Sequence, residues 1–178
     1  MDKEKKYARY QRLVAQLAAL LTKTDDPLAR MATIAALLFH KFDYFFWCGF
    51  YRLVQGELVV GPYQGPLACQ VLAKGRGVCW AGIKQGETIM VPDVHQFPGH
   101  IACDSRSLSE IVVPYRNGAG NIAGVLDVDS DRLAQFDEVD AMQLEMIVSF
   151  LHAPGHRRGL EETGSENGGG GIALDAGA

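Results

Sequence analysis

The chain has 178 residues, 48% of them hydrophobic and 21% charged, the balance of an ordinary globular protein able to bury one core without disulfide or metal staples. Its formal charge is −4, and Lys and Arg do not cluster beyond the Lys3-Glu4-Lys5-Lys6 run, which argues against a nucleic-acid partner. No stretch approaches the roughly 18 consecutive apolar residues of a membrane span, and the N-terminus lacks the apolar core of a signal peptide, so a cytoplasmic, non-membrane protein is expected.

From Tyr7 to Leu21, apolar side chains recur at Tyr10, Leu13, Val14, Leu17, Leu20 and Leu21, the spacing of one buried helical stripe. Thr24-Asp25-Asp26 followed by Pro27 supplies capping groups and a first-turn proline for a second helix to about His40. An antiparallel helix pair is expected. Tyr44 to Leu53 and Leu58 to Val60 read as two strands joined by a tight turn at Gln55-Gly56. Glu87 to Val91, Ser109 to Tyr115 and Ile122 to Val128 are further strands, the last two linked through Asn117-Gly118-Ala119-Gly120-Asn121. Phe136 to Leu151 returns to helical spacing, with Asp137 and Glu138 favourable in the first turn. Helices at both ends of hairpin-connected strands predict an α+β domain with a central antiparallel sheet over residues 1–154. Residues 155–178, with Gly168 to Gly171 in a row, have the composition of a disordered tail.

Four cysteines without a secretion signal are not expected to form a structural disulfide framework. Cys48, inside the aromatic run Phe45 to Tyr51, reads as a small structural hydrophobe. Cys69, Cys79 and Cys103 lie among loop-type residues. Cys79 follows the glycine-rich Gly75-Arg76-Gly77-Val78, and Cys103 follows the broken segment Phe97-Pro98-Gly99-His100. An accessible loop thiol beside His100 is a candidate nucleophile. A zinc site drawn from these three cysteines with His95 and His100 is the competing reading, weakened because no close ligand spacing such as Cys-x-x-Cys is present.

Asp127 and Asp129 are two apart on a strand and therefore share a face, with Leu126 and Val128 on the other. Such a pair is either solvated or able to hold an ammonium group and, with one carboxyl protonated, to donate to an oxyanion. Glu110 on the preceding strand can join it. Trp47 and Tyr51 likewise share a face, as core or as an aromatic wall for a methyl-bearing ligand.

The segments Gly61 to Gly65, Gly75 to Cys79, Val91 to His95, Phe97 to Asp104, Ser109 to Pro114 and Gly124 to Ser130 resemble the free methionine-R-sulfoxide reductases, enzymes built on a GAF domain. The likeness covers nearly the whole chain before the tail. It implies that Cys103 attacks the sulfoxide sulfur and becomes a sulfenic acid, that Cys69 condenses with it to a disulfide, and that thioredoxin reduces the disulfide. Cys79 stays open as an attacking or resolving thiol. The resemblance also gives Glu110, Asp127 and Asp129 to the polar groups of a free amino acid, and Trp47 with Tyr51 to its methyl end. No metal or organic cofactor is expected, and a homodimer through the N-terminal helices is. Trp80 directly after Cys79, Pro66-Leu67-Ala68 before Cys69, and the extra thiol Cys48 depart from the family pattern. The alternative from another class is a non-catalytic GAF sensor of a small ligand or of oxidation, since one fold hosts many functions.

Overall fold

The computed structural model describes residues 2–100 and 104–152. Cys103 and the glycine-rich tail expected at 155–178 lie outside the described residues. The elements run α1 (Lys3–Leu20), α2 (Pro27–Lys41), β1 (Trp47–Val54), β2 (Glu57–Gln64), β3 (Val71–Leu72), α3 (Gly77–Gln85), β4 (Ile89–Val91), β5 (Ser109–Arg116), β6 (Ile122–Ser130) and α4 (Glu138–Ser149).

Local chemistry explains most of these boundaries. Asp2 caps α1 by accepting from the Glu4 amide, and Asp26 caps α2 by accepting from Leu28 and Ala29, with Pro27 in the first turn. Asp137 and Asp140 form a reciprocal capping box at the start of α4. The β1–β2 hairpin turns through Gln55 and Gly56, both at positive φ (51° and 80°), the geometry that matches the strand twist.

All strand pairs are antiparallel, in the order β3-β2-β1-β6-β5-β4. One face carries α1, α2 and α4, whose Tyr10, Leu17, Ile34, Leu38, Leu144 and Ile147 pack on Cys48, Phe50, Ile111, Leu126 and Val128 of the sheet. Full burial of each Leu or Ile is worth about 1.5–3 kcal/mol. Cys48 sits here, fully buried, in the structural role expected of it. Arg9 in α1 donates to the Lys41 carbonyl at the end of α2 (3.0 Å), consistent with the antiparallel pairing, but α1 is tied chiefly to α4. Lys6, buried in α1, binds the Asp140 carboxylate and lies 3.1 Å from Asp137, while the Tyr10 and Tyr44 hydroxyls donate to Asp140 at 2.8 and 2.9 Å.

The opposite face carries α3, and here the structure corrects the sequence reading. Cys79 is not on a glycine loop but in the first turn of a nine-residue helix, with Val78, Cys79 and Gly82 buried. The helix lacks a side-chain cap at Arg76 and has glycine at both ends, so it carries none of the usual start signals. Gly82 is needed for close approach: a Cβ there would stand 2.9 Å from Val112 Cγ1 on β5. The two-residue β3 was also not anticipated, and the strand expected from Glu87 begins at Ile89.

Candidate active site

The face under α3 holds a cavity bounded by Trp47, Tyr51, Leu67, Cys79, Glu110 and Asp129 among others. Strand register assembles it. Trp47 is paired with Asp129, Gly49 with Asp127, and Glu110 with Asp129, so alternation sends all three carboxylates and both aromatics to the same side. The Trp47 ring stacks between Tyr51 (5.8 Å, 22°) and Tyr63 (5.3 Å, 19°). It can lie across the strand because residue 49 has no side chain: a Cβ there would stand 2.7 Å from the indole and 2.2 Å from Tyr63 Cβ. Tyr51 also donates from its hydroxyl to the Cys69 carbonyl (3.2 Å), tying the aromatic wall to the cysteine loop.

The electrostatics of this cavity are unbalanced. Glu110 and Asp127 are buried, Asp129 is partly exposed, and among the described residues no Lys or Arg pairs with any of them. Asp129 accepts from the Ser107 hydroxyl, Glu110 has His100 Nδ1 at 3.8 Å, and Asp127 Oδ1 has no hydrogen-bond partner among the described residues. Burial, followed by mutual repulsion, pushes the Glu110 and Asp127 carboxyls well above their ordinary range, and Asp129 is raised to about 6, again chiefly by burial. Like charges this close cannot all ionise, so the group retains a proton at neutral pH. His100 is held below its ordinary value by burial and by His95, and is therefore a neutral imidazole there.

The cysteines divide. Cys79 Sγ lies 4.0 Å from Glu110 Oε1, and burial, then the charges of Asp127 and Glu110, push its thiol upward. Cys69 is disulfide-bonded, while Cys48 and Cys79 carry free thiols. Cys103 lies outside the described residues. His95, a ligand in the competing zinc reading, is exposed. Two features escaped the sequence reading. Ser107 reaches Asp129 from the loop before β5. Arg106 makes a fork to Asp104 (3.0 and 2.7 Å) and lies over the Phe46 ring at 4.6 Å, holding Asp104 down to about 2 by its hydrogen bonds. The Asp104-x-Arg106 spacing was the available signal for that clamp.

No family model matches the chain. A Dictyostelium discoideum protein named GAF domain-containing protein A is 48% identical over 153 residues, 85% of this chain and 95% of its own. The free methionine-R-sulfoxide reductase of Escherichia coli is 39% identical over 153 residues, 85% and 89% of the two chains. Among solved structures, the free methionine-R-sulfoxide reductase of Neisseria meningitidis in complex with its substrate superimposes with a TM-score of 0.79 at 44% identity, covering 85% of this chain and 89% of that one. The GAF domain of a Coxiella burnetii phosphoenolpyruvate-protein phosphotransferase, 15% identical with a TM-score of 0.73, shares the fold alone. Near-complete coverage at this identity, with the paired strands that carry Glu110, Asp127 and Asp129 inside it, makes the chain a member of the free methionine-R-sulfoxide reductase family, built on a GAF domain.

Proposed function

We propose that the protein reduces free methionine-R-sulfoxide to methionine by thiol chemistry. The observation that carries this reading is the set of three carboxylates with no Lys or Arg partner among the described residues, lining one cavity with the Trp47–Tyr51 wall. A free amino acid brings an ammonium group, which a peptide bond would have consumed, and two carboxylates can share it. The carboxyl that keeps its proton can donate to the sulfoxide oxygen as negative charge develops there. The methyl end rests against the apolar rings.

In this reading Cys103 is the nucleophile. Its thiolate attacks the sulfoxide sulfur, the oxygen takes a proton from the carboxyl cluster, and collapse releases methionine and leaves Cys103 as a sulfenic acid. The Cys69 thiol then displaces water from the sulfenic acid, giving a Cys69–Cys103 disulfide. A thioredoxin dithiol reduces it by exchange and is itself oxidised. Two facts support this division: Cys69 is already disulfide-bonded, and the buried Cys79 thiol is pushed away from the thiolate form, which disfavours it as nucleophile. A cytoplasmic setting, where thioredoxin is reduced, and a homodimer belong to the same reading.

The test supplies the purified chain with each diastereomer of free methionine sulfoxide and dithiothreitol, and follows methionine release. Turnover of the R form only, lost in Cys103→Ser and retained at least in part in Cys79→Ser, is expected. Binding without turnover of the R form would replace the enzyme with a GAF sensor. Replacing dithiothreitol with a thioredoxin system tests the reductant.

A further inference from the structure

The same cavity contains a donor set that the reduction does not use as a set. Cys79 Sγ, a Glu110 oxygen and an Asp127 oxygen all lie within 4.8 Å of one another, and all three residues are buried. Asp127 is 6% exposed and its Oδ1, with no hydrogen-bond partner among the described residues, belongs to a residue that lines the cavity. An unsatisfied carboxylate oxygen in such a place costs on the order of 1–3 kcal/mol, and it needs a donor or a cation.

We propose that Cys79, Glu110 and Asp127 form a site for a thiophilic divalent cation of the zinc class, and that the bound ion blocks the cavity to substrate. Zinc bonds of about 2.3 Å to sulfur and 2.1 Å to oxygen place tetrahedral S and O ligands roughly 3.6 Å apart. The Cys79 Sγ to Glu110 Oε1 separation is 4.0 Å, so a shift of a few tenths of an ångström closes that edge of the tetrahedron, and the edges to Asp127 are no longer than 4.8 Å. A water from the cavity completes four ligands. The thiol selects the ion: magnesium and calcium require all-oxygen shells, whereas zinc, cobalt and cadmium accept sulfur. On binding, Zn²⁺ displaces the Cys79 thiol proton and the proton held between the carboxyls, and both leave to the buffer. This ligand set differs from the competing zinc reading of the sequence, which drew on Cys69, Cys79, Cys103, His95 and His100: of those it keeps Cys79, and Glu110 and Asp127 supply the oxygens.

The binding experiment needs no substrate and so stands apart from the enzyme reading. Oxidised full-length protein, with Cys69 held in its disulfide, is titrated with Co²⁺ and Zn²⁺ in a calorimeter and a spectrophotometer. One ion per chain is expected, with a thiolate-to-cobalt charge-transfer band, proton release that scales with buffer ionisation, and no binding of Mg²⁺. Cys79→Ser should abolish the band and weaken Zn²⁺ at least about 100-fold, beyond the loss typical of outer contacts. Asp127→Asn, which keeps side-chain volume, should weaken Zn²⁺ at least tenfold. A band that survives Cys79→Ser, or no stoichiometric Zn²⁺ in a folded wild type, overturns the site. The blocking claim rests on the proposed function and is read separately, as a rise in the apparent zinc Kd with free methionine-R-sulfoxide. Stoichiometric zinc that is indifferent to that ligand overturns the block while leaving the site.

Discussion

Both faces of the sheet bury carboxylates, and they treat them in opposite ways. Under the helices, Asp140 is fully buried and accepts from Lys6, Tyr10, Tyr44 and the Asp137 amide. Under α3, Asp127 and Glu110 are also buried, but among the described residues they have only each other, the Cys79 thiol and a neutral imidazole. A buried charge that is fully paired fixes structure, here the docking of α1 on α4. A buried carboxyl cluster that has no cation and must share a proton is the mark of a site waiting for a ligand.

That contrast can be broken by exchanging the consequences. Asp140→Ala should be the most damaging change to folding, on the order of 3–5 kcal/mol, because it leaves the buried Lys6 ammonium only the Asp137 carboxylate and strands two tyrosine hydroxyls in the core. Denaturant unfolding reads it, and an unchanged midpoint would show that the network is ornamental. Asp127→Asn should do the reverse, lowering methionine-sulfoxide turnover about 100-fold, or roughly 2.7 kcal/mol, while leaving the unfolding midpoint at or above that of the parent. A drop in stability comparable to that of Asp140→Ala would erase the distinction between the faces.

Asp129 offers a finer test through pH. Its carboxyl is raised from 3.8 to about 6, chiefly by burial, so the folded chain holds the proton more tightly than the unfolded one. The stability this contributes is full below about pH 4 and is lost as pH rises through about 6. Partial exposure keeps it on the order of 1 kcal/mol, and Asp129→Asn should flatten that part of the curve between those limits. At the surface, Lys3 meets Glu138 at 3.0 Å with both side chains largely exposed, and Lys3→Ala should leave the midpoint where it was.

How much of this could be read from the chain varies by element for physical reasons. Capping residues announced α2 and the turn residues the β1–β2 connection, because a local side chain satisfies a local backbone group, and helical spacing with acidic residues at its start announced α4, where Asp137 is in fact the cap. Strand alternation put Asp127, Asp129, Trp47 and Tyr51 on shared faces, since that depends only on a period of two. It could not say that the faces coincide, which required the β1–β6 register. Helix α3 stayed hidden because its start has no capping side chain and its middle carries a glycine. Lys6 had a signal that went unused: it lies four residues before Tyr10, on the buried stripe of α1. Its partner Asp140 is 134 residues away, beyond any local pattern. The Ser107 contact to Asp129 was invisible for the same reason.

Gly82 gives the site a tolerance measured in the size of one methyl group. Its place in the helix is set by distance rather than by backbone freedom, for the neighbour it would strike is the stiff, branched Val112. Any side chain there lifts α3 from the sheet and carries Cys79 away from Glu110 and Asp127. The depth of the thiol in the cavity is thus written three residues downstream of it, at a position that touches neither ligand nor solvent chemistry.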